Sequence, residues 1–260
     1  MDYLYKYRPI DKFLDEILLN SQAYFSSPDD FDDPFDCKIN PYPADLPAEA
    51  TSFLETFKST FKEKGSSVSQ ELVDFFSNPE LLKQAFFEDW QGRNPVMLKK
   101  ARIFCLTELN DSIPMWSLYA DSHRGICLQF QIIDDPFYHV LYPVVYGKSY
   151  PSFRLSQGDM PGYLFAQLTF KSIEWCYQKE WRIIKNVYFE DESLYDKKIS
   201  RLCPFPSKIL TGVIFGCRAD EKQREHVLSI LKQREFKVSL FNARPVDQRM
   251  ALDIVQIGKS

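Results

Sequence analysis

Strand-forming runs stand at both ends of this chain, and a stretch with helical spacing separates them. YLYKYR at residues 3–8 mixes aromatic and basic side chains and predicts a strand that Pro9 ends. QAYFS at 22–26 predicts a second strand, and Asp11 between them predicts the N-cap of a helix through Leu19. From about residue 45 to 95 the apolar residues take helical spacing, as in SQELVDFF and NPELLKQAFFEDW, where Pro79 follows the capping Asn78. From residue 101 strands return as ARIFCLTE, RGICLQF, HVLYPVVYG, EWRIIKNVYF, SKILTGVIFGC and FKVSLFNA, with a tail suited to a sheet edge. Pro143 lacks a ladder donor, which places its run at an edge or a bulge. DSIPMWSLYAD predicts a short helix or turn, and 161–178 predicts a helix. ADEKQREHVLSILKQR is the clearest amphipathic helix, with Val227, Leu228 and Leu231 as its stripe. Helices inserted between strands, rather than alternating with them, predict an α+β fold. We read it as a single domain over 1–260 with a helical insertion at about 45–95.

Composition narrows the function. With 260 residues, 45% of them hydrophobic, the chain can bury a core without staples. Its net charge of -4 lacks a basic nucleic-acid footprint. The six cysteines are scattered and the three histidines fit no zinc spacing, so no metal site is expected. MDYLYKYRPIDKF has no apolar signal region and no apolar run is long enough to span a bilayer, so a cytoplasmic protein without membrane contact is expected. Nine glycines form neither a Rossmann fingerprint nor a P-loop, and no nucleophile elbow occurs.

Four constellations can carry chemistry. Arg8 ends the first strand near Ser26 and Ser27; an arginine fork suits a diphosphate and serine hydroxyls suit a ribose. The loop from Ser26 to Asp36 holds five aspartates, which read as turn chemistry, with its two phenylalanines packed inward. Trp116 and Tyr119 share one face of a helical turn; Trp116 suits a core anchor, and Tyr119 or His123 suits a substrate contact. Glu180 opens a strong strand, and alternation places it on one face with Arg182, opposite Trp181 and Ile183. A carboxylate there can oppose an oxocarbenium-like charge, or simply pair with a neighbouring cation.

In this order LYKYR, YFSSPDDFDDPFD, MWSLYADSHRGICLQF and EWRII resemble a widespread bacterial domain-of-unknown-function family, over roughly residues 3–217. The chain departs from it at Asp32, where Asn is usual, and at Leu118, where His is common. A more distant resemblance is to ADP-ribosyltransferases, which use an Arg or His on the first strand, a Ser or Tyr on the next segment and a Glu on a later strand. This resemblance implies a mixed, mostly antiparallel sheet core and NAD as substrate. It implies Glu180 as the catalytic carboxylate. Arg8, Tyr7, Tyr24, Ser26, Ser27, Tyr119 and His123 are the expected NAD-binding set. An RNA or DNA base, or a protein side chain, would be the acceptor. The activity would be that of a toxin or phage-defence effector, with an antitoxin or chaperone as a further partner. The alternatives are a non-catalytic module that binds a nucleotide or a protein, and a metal-dependent nuclease or nucleotide hydrolase acting through the aspartate loop.

Overall fold

The computed structural model describes residues 1–38, 98–149, 160–185 and 201–260 throughout, with scattered positions between 42 and 97 and at 152–153. Its strands are β1 (Tyr3–Arg8), β2 (Gln22–Tyr24), β3 (Tyr42–Pro43), β4 (Arg102–Thr107), β5 (Ile126–Gln131), β6 (Leu141–Pro143) and β7 (Val145–Gly147). They continue as β8 (Ser152–Phe153), β9 (Phe170–Ser172), β10 (Glu180–Lys185), β11 (Leu202–Pro204), β12 (Leu210–Phe215), β13 (Ser239–Pro245) and β14 (Leu252–Lys259). The described α-helices are α1 (Leu14–Leu18), α2 (Gln70–Ser77), α3 (Ile113–Tyr119), α4 (Met160–Thr169) and α5 (Glu221–Leu231).

The chain divides into two compact units. The first comprises Met1–Ser27, Arg102–Val144 and Glu174–Ser260. It is built on an eight-stranded sheet of order β14-β13-β12-β5-β1-β4-β10-β6. Every pairing in this sheet is antiparallel except β12 with β13, which α5 connects as a crossover. The mixed, mostly antiparallel sheet is therefore present. β6, with Pro143, lies at one edge and the tail strand β14 at the other, as their sequences lead one to expect.

Alternation along the central strands sends Leu4, Phe104, Leu128, Phe130, Ile183, Val213 and Phe215 to one face. There they pack with Ile17 and Leu18 of α1 and Val227, Ile230 and Leu231 of α5. Each fully buried apolar side chain of this size contributes about 1.5–3 kcal/mol. A reciprocal capping box between Asp220 and Gln223 starts α5. The buried Arg234 guanidinium donates to the carbonyls of Leu18, Ser207 and Phe236, holding the C-terminal end of α5 against α1. The other face carries a smaller cluster, in which Trp116 and Met115 of α3 pack on Tyr7, Cys127 and Ile214.

At the end of the sheet, two glycines let backbones meet. A methyl group at Gly216 would lie 2.1 Å from the His123 carbonyl oxygen, and one at Gly125 would lie 2.3 Å from that of Arg8. Gly216→Ala is expected to destabilise the protein by about 1–3 kcal/mol in urea titration, because the obstacle is backbone.

The second unit comprises Pro28–Ala101 and Val145–Ile173. It holds the parallel pairs β3 with β8 and β7 with β9. Of the expected helical insertion, α2 is described, and most of 45–95 lies outside the described residues, as do 186–189 of the run EWRIIKNVYF.

Several expectations are corrected. The run 139–147 is not one strand: it breaks after Pro143 into β6 and β7, which belong to different sheets. The helix expected over 161–178 ends at Thr169, since Phe170–Ser172 pairs with Val145–Gly147 and a 3-10 turn follows over Ile173–Gln178. The first helix runs over Leu14–Leu18 with Phe13 at its N-cap position; Asp11 stands one turn earlier, where its carboxylate accepts from Phe13 N and binds Arg8 while its carbonyl accepts from Leu14 N. In the aspartate loop Asp33 accepts from Phe35 N at 2.8 Å, as turn chemistry requires, but Phe35 is 55% exposed rather than packed inward.

Candidate active site

The first unit carries a line of polar side chains across three strands. Tyr5 pairs with Thr107, and Thr107 pairs with Glu180. Directly paired residues share a face, so Tyr5, Thr107 and Glu180 stand in a row across β1, β4 and β10. Cys105 and Arg182, also a cross-strand pair, form the next row on that face.

The row lies where the sheet parts. β1 is joined to β5 at six positions but to β4 only at Tyr5–Thr107. Further along β4, Ile103 exchanges two backbone hydrogen bonds with Ser26, at 2.9 and 2.8 Å.

Glu180 is presented by a knotted turn. Lys179, the residue before it, has φ of 42°, a conformation that costs a non-glycine residue energy and persists only where surrounding contacts enforce it. Those contacts are visible: the Thr107 hydroxyl donates to Gln178 O at 2.5 Å, and Glu108 N donates to Lys179 O at 3.2 Å. Gln178, itself buried, donates to the Tyr119 hydroxyl at 2.9 Å and so links α3 to the turn.

The Glu180 carboxylate is 6% exposed and takes a 2.7 Å charged hydrogen bond from Arg182 Nε; Arg182 has no exposed surface. Burial, and then the Glu180 charge, push the Cys105 thiol up to about 12, so Cys105 is an inert neighbour of the carboxylate rather than a thiolate nucleophile. Burial raises the Tyr5 phenol, while a hydrogen bond with Asn110 opposes the shift. Tyr5 is thus a neutral phenol.

The other expected site residues are distributed as follows. Arg8 pairs with Ile126 and alternates onto the face of Leu4, opposite to the Glu180 row, where it binds Asp11 at 2.7 Å. Tyr7 is a core residue, edge-on to Trp116 at 5.1 Å, and burial raises its phenol strongly. Tyr24 belongs to the separate β2–β11 ladder and accepts from Arg201 at 2.6 Å. Ser26 is bridged to Ile103 through its backbone alone, which puts it on the face of Ile103, Cys105 and Thr107 but four residues along β4 from Thr107, and Ser27 is buried. Tyr119 is 41% exposed and touches the Glu180 turn through Gln178. Of the expected set, Tyr119 alone is linked to Glu180 by a described contact. Thr107 and Gln178 complete the site; sequence alternation gives each strand's faces, but the register that aligns them is not written in any one segment.

His123 lies in a run of three left-handed residues, Asp121, Ser122 and His123, and stacks on Trp116 with ring centroids 6.4 Å apart. Burial, then the charge of Arg218, lower its pKa from 6.5. A lowered histidine binds fewer protons folded than unfolded, so its contribution to stability is present above pH 6.5 and falls as pH drops below it. Stability measured between pH 7.5 and 5.5 is expected to fall less in His123→Gln than in the parent.

Among the described residues no group of three or more His, Cys, Asp or Glu is placed to hold a metal, and no helix is long and apolar enough to cross a membrane. Comparison with protein-family models, with curated proteins and with solved structures finds no match to this chain.

Proposed function

We propose that this chain is an NAD-consuming ADP-ribosyltransferase with Glu180 as its catalytic carboxylate. The observation that supports the reading is the row Tyr5–Thr107–Glu180 at the parting of β1 and β4. It supplies a polar side chain from the first strand, a hydroxyl from a neighbouring strand and a glutamate from a later one. In this reading Tyr5 and Thr107 take the places first assigned to Arg8, which stands on the opposite face, and to Ser26, which is bridged to Ile103 further along β4.

The chemistry balances without a further reactant. The bond between nicotinamide nitrogen and ribose C1′ breaks, its electron pair leaves on nicotinamide, and the acceptor's nucleophile bonds C1′ and releases a proton. Positive charge grows on C1′ and the ring oxygen, and a fixed carboxylate beside them stabilises it. Glu180 is prealigned for this role by the Lys179 turn and by Arg182. Thr107 positions the turn through its bond to Gln178 O.

The acceptor proposed is a nucleic-acid base or a protein side chain, in an effector controlled by an antitoxin or chaperone. Incubating the protein with adenylate-labelled NAD and bacterial lysate tests this. Label made soluble by nuclease assigns a nucleic-acid acceptor, and label made soluble by protease assigns a protein. Absence of label and of nicotinamide release would remove the reading.

A second reading is favoured by the Glu180–Arg182 pair: a buried ion pair can serve the fold alone, leaving a non-catalytic nucleotide- or protein-binding module. In that case Glu180→Gln alters stability without altering the function.

A further inference from the structure

The polar row does not stop at Tyr5. Tyr5 pairs with Gln129 of β5, and Gln129 pairs with Gly212 of β12, so Glu180, Thr107, Tyr5, Gln129 and Gly212 stand on five successive strands. Two positions along, Tyr7, Cys127 and Ile214 are covered by Met115 and Trp116 of α3. The row therefore runs along the foot of that helix, where Tyr5, Gln129 and Phe241 of β13 stay half-exposed.

The Gln129 amide is held in one orientation. A bulge in β12 makes Thr211 an extra residue opposite Gln129. Gln129 Nε2 donates to Thr211 Oγ1 at 3.1 Å, and the Thr211 hydroxyl donates to the Gln129 backbone carbonyl at 3.4 Å. The single hydroxyl hydrogen is spent on that carbonyl, so Thr211 accepts from the amide nitrogen. Among the described residues nothing donates to Gln129 Oε1, and Nε2 keeps one hydrogen. The amide thus offers one acceptor and one donor side by side. Gly212 leaves room for a ring beside it: a Cβ there would lie 3.1 Å from Gln129 Cβ and 3.1 Å from Phe241 Cε2. A second bulge, at Ile257 of β14, lies next to Phe241. Bulges are over-represented beside functional sites, where they re-aim side chains.

We propose that Gln129 and Phe241 form a seat for the adenine base of a nucleotide. Adenine presents its N6 donor beside its N7 acceptor, the complement of the open amide edge, whereas guanine presents two acceptors, O6 and N7. Every base can stack on an aromatic ring, so Phe241 supplies affinity and Gln129 supplies choice. Gln129 stands three strand spacings from Glu180, about 14 Å. That is the reach of a dinucleotide laid out from one base to the other. As the seat of the adenine of NAD the site rests on the reading of Glu180 given above; as a seat for adenine it rests on Gln129 and Phe241 alone.

Calorimetric titration of the full chain with adenosine monophosphate and with guanosine monophosphate tests the seat. Saturable binding of adenosine monophosphate is expected, about tenfold or more tighter than that of guanosine monophosphate. Gln129→Leu should abolish the preference, and Thr211→Val should reduce it by letting the amide turn. Phe241→Leu should weaken both nucleotides alike, by about tenfold. The three substitutions lie on separate strands, so the failure of one variant to fold leaves the others decisive. No saturable binding of adenosine monophosphate, equal affinity for the two nucleotides, or a preference unchanged in Gln129→Leu would overturn the seat. Nicotinamide release without binding of adenosine monophosphate would overturn the seat and leave the transferase reading standing. Binding without nicotinamide release would do the reverse.

Discussion

Replacing Arg182 by methionine is expected to cost about 3–5 kcal/mol of folding stability, the largest effect of any substitution considered. Arg182 has no exposed surface and its Nε lies 2.7 Å from a Glu180 oxygen. Methionine fills much of the volume but removes the 2.7 Å charged hydrogen bond from a buried carboxylate. An uncompensated buried charge is far more costly than a missing pair. The loss should appear as a lower urea midpoint with an unchanged slope, since the surface exposed on unfolding is the same. Combining it with Glu180→Gln should recover part of the stability, because the two substitutions act on one interaction and are not additive. A single variant within about 1 kcal/mol of the parent would show that the pair is not buried as described.

Glu180→Gln should lower the rate of NAD cleavage by about 100- to 1000-fold, comparable to removing one preorganised electrostatic group from other transition states. The amide has nearly the shape of the carboxylate, and its carbonyl can still accept from Arg182, so the turn set by Lys179 and Thr107 is retained. What disappears is the negative charge that opposes the cation at ribose C1′. The variant weakens the charged hydrogen bond to buried Arg182 and is also less stable, so rates must be compared at a temperature where both proteins are folded. A loss in turnover with little change in NAD affinity marks a group acting in the transition state.

How far the sequence could be read depends on the range of the interaction involved. Alternation within one strand was sufficient to place Glu180 and Arg182 on one face, and their 2.7 Å contact agrees. The missing ladder donor of Pro143 was sufficient to place its strand at an edge. The stripe of α5 was likewise legible, although Ile230 rather than Leu228 is the third fully buried member. What a single segment does not contain is register. In YLYKYR every position is a plausible partner for a distant glutamate, and only the pairing of Tyr5 with Thr107 decides that Tyr5 faces Glu180 and Arg8 does not. A shift of one residue would reverse that outcome. Thr107 gave no signal of its own, because an interior threonine in a strand is ordinary until its hydroxyl is seen to hold the Gln178 carbonyl. Helical spacing also misled at 170–178, where the pairing of Phe170–Ser172 with β7 outweighs local preference.

The most direct test of the central claim is the release of nicotinamide from NAD by the purified chain, alone and with bacterial lysate, in parallel with Glu180→Gln and Tyr5→Phe. The account predicts turnover in the parent, a 100- to 1000-fold loss in Glu180→Gln and a smaller loss in Tyr5→Phe. Equal turnover in the parent and Glu180→Gln, or none in any sample, would contradict it.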